Sequence, residues 1–459
     1  MWSKNKGLSD KELYDILMQS SDDECDKELP LEQAFSDFSS DEDLSDGEAE
    51  IHEGSLSFHE LEEEEVQLPD QLEDETLRNR QSYDVDNRTW YTVAPKTGKS
   101  RSCNILQEDK GLTNRSKDVN SITDCFKLFF SENMLDIIIK YTNKKANDFI
   151  KTYNECHEDK LETWIEVDTT EMLAFLGVLI LAGRFREAKE SVRNLWSTTN
   201  NAFTRPIYQA TMSRNRFSDI LRHLRFDDLS TRAERKEQDK LAPIREITDI
   251  FAKNCRESYK PSAFGTIDEQ LVTFRGRCSF KVYIPSKPGN YYCCNFEVYL
   301  GKLNGIAEKN QGPRVVKTLA SHWYGRGRNI TTDNFFTDIT LAEELLSQNL
   351  TIVGTIRKTR KDLPKSLLDI RERATYSSQF LFTRNLTLVS YVTKRNKFVV
   401  LLSSMHHEHD IAGEDLKFKP SIITSYNETK SGVDCLDKIV REYSSKRISR
   451  RWPLRLFYN

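Results

Sequence analysis

At Gly265 the hydrophobic pattern of this chain changes period, and that change restricts the fold more than any other feature. Before it, apolar residues recur at helical spacing. Ser131 is an N-cap candidate for a helix running through Tyr141. Met172 to Ala182 is apolar nearly all round, which predicts a central buried helix. Ser213 caps a third helix with Phe217, Ile220, Leu221 and Leu224 as its stripe. After Gly265 come short strand-like runs at 266–274, 280–284 and 295–301. A helix is predicted from Gly312-Pro313, with Val316, Leu319, Ala320 and Trp323 inward. A strand then ends at Asp333, a helix starts at Thr337, and Leu350–Ile356 reads as a buried strand. Strands first and then alternation predict an α/β fold with a mixed sheet.

The same reading divides the chain. Residues 119–262 form an all-helical domain, and 263–357 the first part of the sheet core. Residues 358–420 form a small β-rich insertion built on Gln379–Thr383, Leu386–Val392 and Phe398–Leu402. Residues 421–445 are the last part of the core, with a helix from Gly432, and 446–459 start a C-terminal segment. Residues 1–118 are expected to be a disordered acidic tail, with Trp90-Tyr91 as a short segment that docks on the body.

Charge separates these parts. Residues 1–80 carry 26 Asp/Glu against 6 Lys/Arg; the chain totals of 72 and 67 then leave 46 and 61 for the remainder, a net of +15. A basic body behind an acidic tail predicts a polyanion-binding surface, with double-stranded DNA the leading partner; a solubilising tail on an ordinary globular body is the alternative. The start lacks a secretory signal, and the longest apolar run is too short to span a bilayer, so no membrane partner is expected. The nine cysteines form no Cys-x-x-Cys pair and no disulfide framework, which points to a reducing intracellular compartment, the nucleus if DNA is bound.

Three acidic groups sit where such a fold would gather them. Asp268 lies at a strand end, Asp333 closes another, and Asp434 opens the helix at Ser431-Gly-Val-Asp. Convergent carboxylates bind Mg²⁺ or Mn²⁺, and three can hold two such ions about 4 Å apart for phosphoryl transfer. Asp437 follows Asp434 by one helical turn and faces the same way, as a supporting acidic group. Taken singly, each aspartate also reads as a cap or turn residue; the signal is in the set. Arg222 and Arg225 flank the third helix's stripe as candidate phosphate contacts, or as a solvated face. The basic run Arg357–Lys361 is a DNA-contact or nuclear-signal candidate, and His406, His407 and His409 read as surface histidines or metal ligands.

The set resembles the piggyBac family of DDE transposases. Ile267-Asp-Glu-Gln-Leu with Phe274-Arg-Gly-Arg-Cys and Tyr283-Ile-Pro-Ser-Lys-Pro288 resembles its first catalytic block. Thr332-Asp-Asn-Phe-Phe-Thr337 resembles the second, and Tyr426-Asn-Glu-Thr-Lys-Ser-Gly-Val-Asp-Cys-Leu-Asp437 the third. Ala210–Phe217, Leu224–Asp228 and Asp239–Arg245 resemble its helical region. The resemblance implies an RNase H-like core with Asp268, Asp333 and Asp434 as the catalytic, metal-binding triad and Asp437 as its companion. It implies two Mg²⁺ or Mn²⁺ ions, DNA transposition by a hairpin route with reinsertion at TTAA, a homodimer and a nuclear address. The basic residues inside or beside these motifs, Arg214, Arg222, Arg225, Arg275, Arg277, Lys446, Arg447, Arg450 and Arg451, are then the DNA-binding candidates.

Two departures bear on activity. Only Gly289–Glu297 stands where the family carries a longer stretch with a full core strand, so a strand near Asp268 is expected to be lost or rebuilt. The chain also ends at Asn459, shortly after Arg451-Trp-Pro-Leu-Arg455, where family members continue to a cysteine-rich zinc-binding end. Three readings therefore stand: a transposase-derived enzyme, a non-catalytic DNA- or chromatin-binding protein descended from one, or a decayed fragment that folds poorly.

Overall fold

The structure is a computed structural model that describes residues 81–95, 102–106, 108–157, 161–198, 204–270, 292–301, 308–447, 449 and 451–459. It holds a helical body and a long mixed sheet, each with its own hydrophobic core.

The helical body contains α1 (Ile122–Phe129), α2 (Glu132–Cys156), α3 (Thr169–Arg184), α4 (Arg214–His223) and α5 (Arg245–Ser258). Small polar side chains close the helix starts. Ser121 accepts from the Asp124 amide, Asp168 from Glu171 and Ser213 from Arg216. α3 buries Met172, Phe175, Leu176, Val178 and Leu179, which explains why its sequence is apolar on most sides. Phe217 and Ile220 of α4 and Leu224 just beyond it close the same core.

The sheet has the order β1-β2-β8-β9-β10-β7-β6-β5. Its strands are β1 (Ser82–Val85), β2 (Arg88–Tyr91), β5 (Phe264–Ile267), β6 (Arg328–Thr332), β7 (Leu350–Thr355), β8 (Ser378–Phe382), β9 (Thr387–Lys394) and β10 (Lys397–Ser403). A separate short pair joins β3 (Gly111–Leu112) to β4 (Tyr259–Lys260). β5, β6 and β7 are parallel, and the pairings from β7 outward are antiparallel.

Alternation along the strands sends side chains to two buried faces. Ile352, Leu388, Val400 and Leu402 meet α6 (Gln311–Ala320) and α7 (Ile339–Ser347). Val353, Val389 and Leu401 meet Ile422, Ile423 and Tyr426 of α8 (Ser421–Thr429). α9 (Gly432–Glu442) follows α8 directly, and the short α10 (Trp452–Phe457) returns to the helical core through Leu454 and Phe457.

Three expectations change here. Order begins well before residue 119. β1 and β2 extend the sheet, Trp90 is fully buried, and Arg88 makes a paired bond to Glu343 at 2.7 and 2.6 Å. Trp90 docks as expected, removing a large apolar side chain from water; what changes is that residues 82–91 form two strands of the sheet within the stretch expected to be disordered. The β-rich stretch does not build its own sheet, because β10 pairs with β7 and continues the core.

The third change concerns residues 295–301, which form no strand. They leave the sheet and run between α5 and α6. Arg256 reaches Asn295 at 2.7 Å, Arg314 reaches Glu297 at 2.7 Å, and Lys240 reaches the Leu300 carbonyl at 3.2 Å. Val298 and Leu300 pack on the helical core. Bonds to the Asn295 and Glu297 side chains and one to the Leu300 carbonyl thus hold this segment in place of a strand ladder. Among the described residues β5 is the sheet's edge. The expected run at 280–284 lies outside the described residues.

Candidate carboxylate site

The parallel strands β5 and β6 end side by side, with Ile267 opposite Thr332, and each is followed at once by an aspartate. This places Asp268 and Asp333 at the carboxyl ends of adjacent parallel strands, where open α/β sheets present ligand sites. Carboxylate oxygens of Asp268, Glu269 and Asp333 lie within 4.8 Å of one another.

Asp333 is held firmly. Its carboxylate accepts from the Phe335 amide at 2.9 Å, an Asx turn, and its carbonyl accepts from the Thr337 hydroxyl at 2.6 Å. Thr337 also bonds the Thr332 hydroxyl at 2.8 Å. The turn reading of Asp333 holds, and the same carboxylate stands beside those of Asp268 and Glu269. Asp268 accepts from the Glu269 amide at 2.9 Å.

Electrostatics follow from this crowding. Burial first, and the Asp268 charge second, push Asp333 up to about 6. Glu269 moves in the same direction, through burial and then through Asp268 and Asp333. A carboxyl whose folded pKa exceeds its unfolded value favours the fold while protonated, and that contribution is lost as pH rises. In metal-free protein, Asp333 is therefore expected to remove about 3 kcal/mol of stability between about pH 4 and pH 6. Urea unfolding in chelator at several pH values, wild type minus Asp333→Asn, measures this; a difference that stays flat through that window refutes it.

The third expected carboxylate, Asp434, lies on α9, which packs against β5. Thr429, at the end of α8, ties that helix to both strands. Its carbonyl accepts from Thr266 at 2.5 Å, and its hydroxyl meets Thr331 at 2.7 Å. Gly432 lies so close to β5 that an added Cβ would stand 3.0 Å from Thr266. Asp434 follows in the first turn of α9, with Asp437 one turn later. Asp434 is not in the tight three-carboxylate group; Glu269 is. In the sequence Glu269 stands out only as part of the Ile267-Asp-Glu-Gln-Leu motif. Strand alternation sends it away from Asp268, but β5 ends at Ile267 and the period of two ends with it.

A second side chain joins the site from β7. Arg357, exposed just past the end of β7, donates to the Asn334 side chain at 3.2 Å and lies 5.5 Å from the Phe335 ring. Its charge opposes the upward shift of Asp333. The donor set is oxygen-only, without thiolate or imidazole, and its carboxylates disfavour each other's charge in the absence of a cation. That chemistry fits a hard divalent ion such as Mg²⁺ or Mn²⁺.

The basic candidates divide by placement. Arg214 is exposed and Arg222 half-buried, 3.9 Å from Asp219. Arg225 is buried and donates to the Leu224 carbonyl at 2.9 Å. Arg447 is buried and reaches the Glu187 and Glu190 carbonyls at 3.0 and 3.2 Å. Arg451 reaches the Leu221 and Leu224 carbonyls at 2.7 and 2.9 Å. These three turn inward and satisfy carbonyls at helix and loop ends, which is the placement of internal braces. Lys446 is half-buried, and burial holds its pKa down. Arg275, Arg277 and Arg450 lie outside the described residues. His406, expected in a polar loop, instead bridges Ser403 at 2.9 Å and Ser425 at 3.1 Å, linking β10 to α8.

A sheet of this kind, with acidic residues at parallel strand ends and a helical body before it, defines a class that comparison makes specific. The family model described as Transposase IS4 matches residues 122–459. In the cryo-EM structure of a piggyBac transposase synaptic complex with hairpin DNA, the transposase chain is 35% identical to this one. The match has a TM-score of 0.68 and covers 76% of this chain and 74% of that one. The chain belongs to the piggyBac family of DDE transposases. It is 23% identical over 361 residues to PiggyBac transposable element-derived protein 3 of Homo sapiens, covering 72% of this chain and 57% of that one. It is 24% identical over 288 residues to PiggyBac transposable element-derived protein 5 of Homo sapiens, covering 57% and 53%. The chain thus spans a little over half the length of these curated relatives.

Proposed function

We propose that this protein binds double-stranded DNA and carries out metal-dependent phosphodiester cleavage and strand transfer at the β5–β6 carboxylate site. The observation that carries the reading is Asp268 and Asp333 on adjacent parallel strand ends, with Asp434 entering on a helix packed against the same strand. The three parallel strands and that helix support an RNase H-like core.

In this reading Asp268, Asp333 and Asp434 hold the ions, Asp437 supports them, and Glu269 adds an oxygen beside the first two. Mg²⁺ or Mn²⁺ bound there supplies activation of a water or 3′-hydroxyl and stabilisation of the leaving oxygen. The Phe335 amide holds the Asp333 carboxylate, and Thr337, itself bonded to Thr332, holds the Asp333 carbonyl, before any ligand arrives. Arg357 stands where it can take a phosphate oxygen of the bound strand. Arg214 and Arg222 are the described candidates on the helical body that face outward at least in part. A homodimer and a nuclear location complete the proposal. They rest on the family and on the partner chemistry.

A second reading, DNA binding without catalysis, is favoured by one feature. The tight carboxylate group takes its third member from Glu269 rather than Asp434, and residues 295–301 do not flank β5 as a strand. Both readings predict salt-dependent binding of duplex DNA, with log K falling linearly against log salt. Filter binding over a salt series tests this, and absence of affinity at low salt overturns both. Metal-dependent nicking then separates the first reading from the second.

No helix among the described residues is long and apolar enough to cross a membrane.

A further inference from the structure

We propose that the β9–β10 turn, Lys394-Arg395-Asn396-Lys397, together with Lys358, forms a phosphate-binding track that guides duplex DNA away from the carboxylate site. The proposal rests on the reading that this protein acts on double-stranded DNA.

Strand order and register place these residues. Across the sheet, β5, β6, β7, β10 and β9 are successive neighbours. β5 and β6 run parallel to β7, and their ends carry Asp268 and Asp333. β7 runs on into Arg357 and Lys358 at the same end. β10 is antiparallel to β7, with Leu401 opposite Thr355 and the Ile356 amide bonded to the Val400 carbonyl at 2.9 Å. The start of β10 therefore lies beside the residues just past β7. Lys358 confirms this, with its ammonium 4.3 Å from the Phe398 ring centroid. β9 pairs with β10 so that Lys394 faces Lys397. One end of the sheet thus carries acidic groups on two strands and cationic groups on the next three.

Spacing matches a duplex. Neighbouring strands lie about 4.8 Å apart, so Lys394 is displaced about 14 Å sideways from the end of β6, and the five residues from Leu402, level with Thr332, to Lys397 add about 17 Å along the strands, about 22 Å in all. At about 3.4 Å per base pair, that is about six steps from the end of β6.

The chemistry is one-sided. Residues 383–407 contain Arg384, Lys394, Arg395 and Lys397 and neither Asp nor Glu. Residues 394–397 are all exposed. Asn396 takes the left-handed conformation at φ 63°, which closes the turn tightly. Lys394 and Lys397 stand opposite each other across the ladder, which brings two cationic side chains together at this turn. Arg360 belongs to the same basic run but not to the track. Its guanidinium is tied to Asp338 at 2.5 Å and Asp362 at 2.7 Å. Arg384, exposed in the β8–β9 turn, lies at the opposite end of the same strands and serves as the control.

The test compares the full chain with Lys394→Gln/Arg395→Gln/Lys397→Gln and with Arg384→Gln, binding a duplex oligonucleotide across a salt series. Each lost phosphate contact lowers the slope of log K against log salt by about 0.9. The triple variant is expected to lose two to three such units and, as an order of magnitude, at least ~10-fold in affinity near 0.1 M salt. Arg384→Gln is expected to bind as wild type does. Asn396 is kept so that the turn closes. Arg395→Gln alone, expected to lose about one unit, serves if the triple variant does not fold. Wild-type slope and affinity in the variants overturn the track while leaving the DNA reading in place. A wild-type chain with no salt-dependent affinity for duplex DNA overturns the DNA reading, and the track with it.

Discussion

Asp333→Asn is expected to abolish saturable Mn²⁺ binding and to reduce metal-dependent strand cleavage by at least about a thousandfold. Asparagine keeps the oxygen that accepts from the Phe335 amide, so the turn survives. What disappears is one negative charge from a group of three carboxylates whose oxygens lie within 4.8 Å. A hard divalent ion would be held by that charge, and a transition state that depended on it would lose several kcal/mol, each ~1.4 kcal/mol being tenfold in rate. Calorimetric titration of Mn²⁺ into wild type and variant measures the first effect, and a supercoiled-plasmid nicking assay the second. Wild-type Mn²⁺ affinity in Asp333→Asn would remove the metal from the site. Binding in the wild type without nicking would favour the non-catalytic reading.

The second large effect is structural and reaches the same turn from behind. Gly354 of β7 lies against Thr332 and Thr337, the two residues that fix Asp333. A Cβ at Gly354 would stand 2.5 Å from the Thr332 carbonyl and 2.7 Å from its hydroxyl, and would overlap the Thr337 hydroxyl. None of these is the loose end of a flexible side chain. Gly354→Ala is therefore expected to cost about 3 kcal/mol, from overpacking plus loss of a buried hydroxyl pair. It should also weaken Mn²⁺ binding in the protein that remains folded. Gly177→Ala is the contrast, since that position on α3 is exposed with nothing within 4 Å. There alanine is expected to be neutral or to stabilise by about 0.5–1 kcal/mol. Urea midpoints for both decide the matter, and a Gly354→Ala protein with the wild-type midpoint refutes the argument.

Both effects trace to one feature of this chain. Asp333 sits in a turn packed from two sides by glycines. Gly312 of α6 comes against the Phe335 carbonyl and Phe336 as Gly354 comes against Thr332 and Thr337. The site is rigid because its neighbours come closer than any side chain allows.

Much of this was legible in the chain alone. Helical spacing around Met172–Ala182 and Phe217–Leu224, the strand ends at Asp268 and Asp333, and the helix from Gly432 are local properties. They depend on periods of 3.6 and 2 and on capping residues, which neighbours in sequence determine. The DDE family could likewise be read from three short motifs.

Tertiary structure alone decided the rest. Glu269 enters the carboxylate group because β5 stops one residue before Asp268, and strand length is set by pairing with β6. Residues 295–301 leave the sheet because Arg256, Arg314 and Lys240 offer them partners across the fold. Trp90-Tyr91 reads as a docking segment in the sequence, but where it docks, a sheet edge nearly three hundred residues later in the chain, is set by the fold. Arg447 and Arg451, basic and exposed-looking in sequence, turn inward to backbone carbonyls of Glu187, Glu190, Leu221 and Leu224, which the fold brings beside them. A cation's place on a surface or in an interior depends on which acceptors the fold leaves beside it, and that is a property of distance in space rather than along the chain.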